Sequence, residues 1–542
     1  MNLRRTNLQQ LRNETFDVLI LGGGINGAVA AASLASKGAK VALIDRGDFA
    51  GSTSSSSSNL VWGGIKYLEN YEFLLVNKLC KSRNQLMRSY PSSVKEIRFL
   101  TTIQKGFRLP PFFVYLGTVL YWAIGRFFTK PPRYLSAKMI KKMEQSINTD
   151  NVAGGFEYSD GYLYDNDSRF VFNFIRSSMD NGCVVANYLE SVDSERDGDL
   201  WVNLVKDQTT GEEFQIRSKV LINACGPYVD KYNAQTGQAT DHRHLFSKGI
   251  HLVVDRIAAT PKVLAFFASD GRLFFVIPMG PKTCIGTTDT QVDDPKVKIT
   301  DEDREFVLDN INHLLALDRP LTLDDIVAER CGVRPLAVKG ASQESDWLKL
   351  SRQHAIDINS NDQHISIFGG KLTDCINVGN EIAEIVSTLG VTLPDSDKVW
   401  FGEPDAADKE DFFNQAEAMD LDKNTAPTAS EPLSNRLWRR YDRRAFDVLE
   451  MIKSDPDNAK ILIENTEYIR GEVELVAQRE MVTKLEDFLR RRSKIEQVIT
   501  QDNVVQAQGL EEACRILFAD KANEKLAEYI QSKNNAQKLK AL

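Results

Sequence analysis

Residues Phe16 to Asp45, FDVLILGGGINGAVAAASLASKGAKVALID, limit the possible folds more than any other stretch of the chain. The apolar run ending at Leu21 predicts a buried strand, and Gly22-x-Gly24-x-x-Gly27 then turns the chain into an alanine-rich helix. Gly22 permits the sharp turn, Gly24 has no Cβ to hold a pyrophosphate off the backbone, and Gly27 lets helix and strand pack closely. The first amides of that helix then face the phosphates. A second strand, Lys40 to Ile44, ends at Asp45, about 20 residues on, where a carboxylate accepts hydrogen bonds from a ribose. Strand, turn, helix and acid in this order point to a dinucleotide site, although the motif alone does not separate NAD from FAD.

The rest of the chain must settle that choice, and its composition narrows the field. With 542 residues and 42% hydrophobic content it builds two or three domains with large cores. A net charge of −8 argues against nucleic acid as the main partner, because neutralising a phosphate backbone needs an excess of Lys and Arg. The 7 cysteines have no C-x-x-C spacing, which favours reduced thiols, and no metal site is expected. The start, MNLRRTNLQQLRNE, is positive but has no apolar stretch behind it, so it is not read as a secretory signal.

Directly after the ribose strand comes a run of hydroxyls, Ser52 to Ser58, that leads to Gly63-Gly64. In that position it suits a cofactor loop better than a linker: hydroxyls bind phosphates, and glycines let backbone approach a flat ring. Ser54, Ser57, Gly63 and Gly64 are its candidate contacts. Further on, 170–181 reads as a helix, and 184–189, 200–205 and 219–223 read as strands. From Lys248 to Asp289 alternating apolar residues predict an antiparallel sheet, and His364 to Thr373 reads as a strand feeding a glycine turn and a helix.

Taken together, GGGINGA, SSSSSNLVWGGIKYLENYEF, GIHLVV, IGTTDT, GVRPL and FGGKLTD, in this order between Phe16 and about Gly390, resemble the FAD-dependent glycerol-3-phosphate dehydrogenase family. The resemblance implies FAD as cofactor. The implied fold class is α/β (α+β overall), with a Rossmann-like FAD-binding domain interleaved with an antiparallel-sheet substrate domain and followed by a C-terminal helical domain. On that basis residues 1–400 hold both parts, with FAD-binding mainly in 16–100, 150–240 and 355–390 and substrate mainly in 241–354. Residues 401–433, rich in Asp, Glu, Ala and Pro, are expected to be a linker, and 434–542 the helical domain. The implied reaction oxidises sn-glycerol 3-phosphate to dihydroxyacetone phosphate and passes electrons to membrane quinone. The protein would be cytoplasmic, peripheral on the inner face of the cell membrane, with a homodimer as a possible assembly.

The resemblance also assigns roles. His251 is the base that takes the hydroxyl proton, kept neutral by a nearby arginine, and Arg334 stabilises the oxygen as it loses that proton. Lys66, Arg352 and Lys371, with Tyr67 donating a hydrogen bond, hold the phosphate. Gly226, in a turn resembling a second approach to the adenine end, and Gly369, Gly370, Leu372 and Thr373, beside the flavin ring or its side chain, join Gly22, Gly24, Gly27 and Asp45 as cofactor contacts. Three positions depart from the family pattern. Lys66 stands where arginine is common, Trp62 where histidine is, and Asp374 adds a carboxylate after the GGKLT turn. They keep two other readings open: a related flavin oxidase acting on another hydroxy acid or amine with oxygen as acceptor, and a flavin-binding protein without turnover.

Two further stretches bear on partners. Between Arg108 and Arg126 there is no charged residue, and aromatics crowd Phe107 to Phe128. A helix of about 14 residues there spans roughly 21 Å, short of a hydrocarbon core of about 30 Å. It is therefore read as lying in the membrane surface between basic flanks, with a buried core helix as the alternative. The basic runs Arg439-Arg440, Arg443-Arg444 and Arg490-Arg491-Arg492 are read as solvated faces, or else as a second lipid contact.

Overall fold

A computed structural model describes residues 3–267, 272–340 and 353–540. Arg352 lies outside the described residues. Among the described residues up to 369, two sheets organise the chain, one of eight strands and one of ten. In the first, Thr15–Leu21 runs parallel between Val41–Ile44 and Glu213–Asn223, and His364–Gly369 extends the sheet beyond Glu213–Asn223. Val18 and Ile20 enter the core beneath the helices Ile25–Ser36, Asp167–Asp180 and Cys375–Thr388, while Leu19 and Leu21 enter the core on the opposite face. A strand covered on both faces reads as a continuous apolar run, which is why the motif strand shows no alternation.

The second sheet is built around His242–Asp255, which pairs antiparallel with Ala328–Lys339 along most of its length and with Lys282–Gly286 on its other side. It reaches further back in the chain than expected. Val94–Gln104 and Val152–Leu163, assigned from sequence to the cofactor domain, belong to this sheet, and Val263–Phe267 joins it to them in the one parallel pairing among its described strands. That parallel pairing links residues more than a hundred positions apart, Val263 with Phe99, and local periodicity carries no trace of it.

The apolar segment after Phe107 forms the helix Pro111–Ile124, and no helix among the described residues is long and apolar enough to cross a membrane. The helix buries Thr118 and Tyr121 and leaves Phe112, Phe113, Leu116 and Leu120 exposed on the other side.

Beyond residue 400 the chain is helical, and two expectations need correction. The stretch expected to be a linker, 401–433, contains the helix Ala406–Ala418, whose Phe412 and Ala416 are buried in the C-terminal core beside Leu433, Leu437 and Trp438. Only two positions of that helix are buried, too few to mark an apolar stripe in an acidic sequence. The basic runs are not simple solvated faces either. Arg439, Arg440, Arg491 and Arg492 are buried, each paired with a carboxylate, and only Arg443, Arg444 and Arg490 retain substantial exposure.

Candidate functional site

The glycine turn forms as its spacing requires. A Cβ on Gly22 would lie 2.5 Å from the carbonyl oxygen of Ala224, and one on Gly27 would lie 1.9 Å from that of Gly22. Gly24 is different: its nearest neighbour would be Ser54 Oγ at 3.3 Å, so here the backbone is open toward the serine loop. Ser54 Oγ accepts the amide of Ile25 at 3.0 Å, capping the helix from a loop almost thirty residues away. Asp45 accepts the amides of Gly23 at 2.7 Å and Gly47 at 2.8 Å, one on each oxygen, and burial raises its pKa. Each carboxylate oxygen keeps a second acceptor site for a ribose hydroxyl. Gly22, Gly24, Asp45, Ser54, Gly226, Gly369 and Gly370 line one groove of about 700 Å³. A long groove that is open at Gly24 and closed at Gly22 and Gly27 fits an extended dinucleotide such as FAD.

The second sheet carries the candidate reactive side chains. In its register Ser247 faces Arg334, Gly249 faces Gly332 and His251 faces Arg330, so these residues share one face. His251 is 2% exposed, and neither ring nitrogen has a hydrogen-bond partner among the described residues. Burial, reinforced by the charges of Arg330 and Arg334, holds its pKa well below the ordinary 6.5. A buried polar group without a partner costs about 1–3 kcal/mol, so this imidazole is stabilised only when something else occupies the site. The Arg334 guanidinium lies over Gly249, where a Cβ would come within 2.4 Å of it, and it donates to Thr287 Oγ1 at 2.9 Å beside Asp289.

The serine loop joins the groove to this sheet. Thr53 Oγ1 donates to Val333 O at 2.7 Å, and Ser56 presses on Gly332, where a Cβ would lie 2.7 Å from its own. Ser57 is turned away from the groove: its amide donates to Asp167 and its hydroxyl accepts the amide of Asn59. Arg330 fastens the loop from below, donating to both oxygens of Asp167 at 3.0 Å and to Ser55 O at 3.3 Å, with the pair almost fully buried.

A third cluster brings together residues far apart in sequence. Lys371 Nζ donates to Tyr67 Oη at 2.6 Å and stands 4.2 Å from the centre of the Tyr67 ring, and Thr373 Oγ1 donates to Trp62 O at 3.4 Å. Leu372 packs on the core of the first domain. Lys66, next to Tyr67, is exposed and stands outside this cluster. Gly63 donates its amide to Asp160, and Gly64 takes a left-handed conformation that opens the turn carrying Tyr67. Asp374, one of the departures noted above, does not face the cluster. It is buried, accepts from Ser82 and Asn377 and pairs with Lys78 and His354. Burial works to raise its pKa, but the nearby His354 and hydrogen bonds from Asn377 and Ser82 win and hold it at about 2.

Several residues of the site went unread in the sequence. Asn26, inside the glycine motif itself, donates to Gly369 O at 3.1 Å and so ties the first turn to the last. His244 Nε2 accepts the Gly369 amide at 3.0 Å while its Nδ1 is held by Asp230 at 2.7 Å, which fixes its tautomer. Arg330 and Asp167 carry no local signal, since a buried pair looks like any other arginine and aspartate until the fold joins them.

A family model described as FAD dependent oxidoreductase matches residues 17–347, and one described as C-terminal domain of alpha-glycerophosphate oxidase matches residues 405–517. Glycerol-3-phosphate dehydrogenase 2 of Mycobacterium tuberculosis is 31% identical over 508 residues, covering 90% of this chain and 82% of the relative. The aerobic glycerol-3-phosphate dehydrogenase of Staphylococcus haemolyticus is 31% identical over 504 residues, 90% of this chain and 88% of that protein. Among solved structures, the glycerol-3-phosphate dehydrogenase of Bacillus halodurans complexed with FAD is similar in fold, with a TM-score of 0.72 at 23% identity over 98% of this chain and 97% of that one.

Proposed function

The chain belongs to the FAD-dependent glycerol-3-phosphate dehydrogenase family, and from that premise we propose that it oxidises sn-glycerol 3-phosphate to dihydroxyacetone phosphate, passing the electrons to quinone at a membrane surface. The observation that carries the reading is His251, a buried imidazole beside two arginines that hold its pKa down and with no hydrogen-bond partner among the described residues. FAD, when bound, supplies the two-electron acceptor for the hydride that leaves the carbinol carbon. His251 accepts the hydroxyl proton on its free nitrogen, which is available because its pKa is depressed. Arg334 bears the charge that develops on that oxygen, and its bond to Thr287 keeps the guanidinium over Gly249. Lys371 and Tyr67 form the inner part of the phosphate pocket, and Lys66 and Arg352 are its further cations.

The membrane reading is supported by the exposed apolar side of Pro111–Ile124, with Arg126, Lys130 and Arg133 exposed just after it. Aromatic and aliphatic side chains beside exposed cations suit the headgroup region of an anionic bilayer. The match to the C-terminal domain of an oxidase favours a second reading in which oxygen takes the electrons.

Anaerobic mixing of the FAD-loaded protein with glycerol 3-phosphate, glycerol and a 2-hydroxy acid tests the substrate. Bleaching by glycerol 3-phosphate alone is expected, and a flavin that stays oxidised with it sinks the proposal. Reoxidation by a quinone analogue without peroxide selects quinone, whereas peroxide under air with no quinone reduction selects the oxidase.

A further inference from the structure

The FAD groove is not closed by the nucleotide-binding domain alone. Lys484, Glu486 and Arg491, all from the C-terminal helical region, line it together with Asp45 to Asp48 and Tyr188 to Glu190. That end of the groove belongs to the ribose strand. The amides of Tyr188 and Leu189 donate to Gly47 O and Asp45 O, both at 2.8 Å, so the Tyr188 segment runs beside the end of the strand that carries Asp45. Gly369 and Gly370 line the same groove from a different strand.

The C-terminal contribution is anchored by buried charge. Asp48, three residues after Asp45, accepts from Arg491 Nε at 2.6 Å and from Arg492 at 2.8 and 2.9 Å, and Asn187 adds a hydrogen bond at 2.9 Å. Asp48 and Arg492 are fully buried side chains. Arg491 also donates to Asp487, which accepts from Tyr188 Oη at 2.7 Å, and Lys484 Nζ stands 5.2 Å from the Tyr188 ring centre. Any movement of Asp48 would be felt by Gly47, whose amide holds Asp45. The segment Lys484 to Arg492 that anchors this loop therefore also presents two cations, Lys484 and Arg491, to the groove. Glu486, the one acid among these C-terminal lining residues, is paired with Lys533 at 3.3 Å and lies at 4.0 Å from Arg491.

We propose that the C-terminal helical domain forms one wall of the FAD site, with Lys484 and Arg491 recognising the adenosine diphosphate half of the cofactor. The chemistry is complementary, because that half carries the pyrophosphate charge and the ribose hydroxyls, whereas FMN lacks the adenylate. The domain therefore selects FAD over FMN, a role separate from substrate and electron acceptor.

The test uses full-length protein stripped of flavin and titrated with FAD, FMN and riboflavin by flavin fluorescence. Lys484 is partly exposed, paired at the surface with Glu528, so Lys484→Glu keeps the fold, which the melting temperature of the flavin-free protein verifies. Lys484→Glu is expected to raise the Kd for FAD about tenfold and to leave FMN and riboflavin within about twofold, and Lys484→Arg is expected to restore FAD binding. Arg491→Met, which also removes one of the donors to Asp48, is expected to lose more. Unchanged FAD affinity in Lys484→Glu, or equal loss for FAD and FMN, overturns the inference. A parental protein that binds FAD but does not bleach with glycerol 3-phosphate would instead count only against the substrate.

Discussion

His251 shows how a residue's surroundings assign its chemistry. Water would leave an imidazole half protonated near pH 6.5, but burial and two guanidinium groups push the proton off and leave a nitrogen with no partner among the described residues. Replacing it by alanine is expected to slow anaerobic bleaching by about 10²–10⁴-fold with FAD retained, the range for loss of a general base. Arg334→Met is expected to cost about 10²–10³-fold, as for loss of a donor to a developing oxyanion. Stopped-flow absorbance reads both, and parental rates in either variant would remove its assigned role. The sign of the pH dependence follows from the depressed pKa. Because the folded His251 stays neutral below 6.5, the bleaching rate at saturating glycerol 3-phosphate, which is free of the unbound substrate's own phosphate ionisation, is expected to hold steady as pH falls through 6.5, and an acid limb centred at or above that value would contradict the assignment.

At the scale of elements, the last turn of the cofactor site is held by a small ionic clasp. His354, at the start of the strand His354–Asn359, lies between Asp374 at 3.0 Å and Glu381 at 2.8 Å, which joins that strand to the helix Cys375–Thr388. Burial alone would lower the pKa of His354, but the two carboxylates outweigh it and raise it. A raised histidine contributes stability that is fully present below its unfolded value of 6.5 and is lost as pH rises through the folded value. Asp374, depressed to about 2, contributes stability above its unfolded value of 3.8 that is lost as pH falls through about 2. The clasp is thus strongest between those limits. His354→Asn is expected to lower Tm most near pH 5–6 and progressively less toward pH 9, and a difference that does not vary with pH would show the clasp to be electrostatically idle. The helix Pro111–Ile124 makes a separate prediction. Phe113 and Leu116 each withdraw about 1.5–3 kcal/mol of apolar burial from a lipid surface when replaced by a charged residue. Phe113→Glu with Leu116→Glu should therefore cut co-sedimentation with anionic vesicles at least about tenfold while leaving flavin content unchanged. Tyr121, on the inner side of the same helix, donates to Asp160 at 2.7 Å and holds the helix in place, so only the outer side is altered.

Over the whole molecule, legibility in the sequence tracked distance along the chain. The glycine turn, Asp45 and the strand that feeds Gly369 could all be read because each is a local pattern within some thirty residues. The membership of Val94–Gln104 in the second sheet, the burial of the helix Ala406–Ala418 and the paired state of Arg440 and Arg492 could not, since each depends on partners that only the fold brings near. Those unread arginines now bear on how the domains hold together. Arg169 of the first domain meets Glu480 at 2.6 Å, Asp165 meets Arg439 at 2.8 Å and Arg440 at 3.3 Å, and Asp48 meets Arg492 at 2.8 Å, all with side chains at most 7% exposed. Removing one partner of such a pair leaves an uncompensated charge in a dry interface, at a cost of about 3–5 kcal/mol. An interface sealed in this way couples the two cores, so calorimetry of the parental protein is expected to show a single unfolding transition despite its 542 residues. Asp165→Asn takes one carboxylate from Arg439, which keeps Glu431, and one from Arg440, which keeps Glu472, and should lower and broaden that transition or split it in two. Arg169 and Glu480 lie on the same interface, so Glu480→Gln should do likewise. A parental protein whose helical domain melts separately, or variants that melt as the parent does, would mean that the buried charges fill the interface without joining the domains.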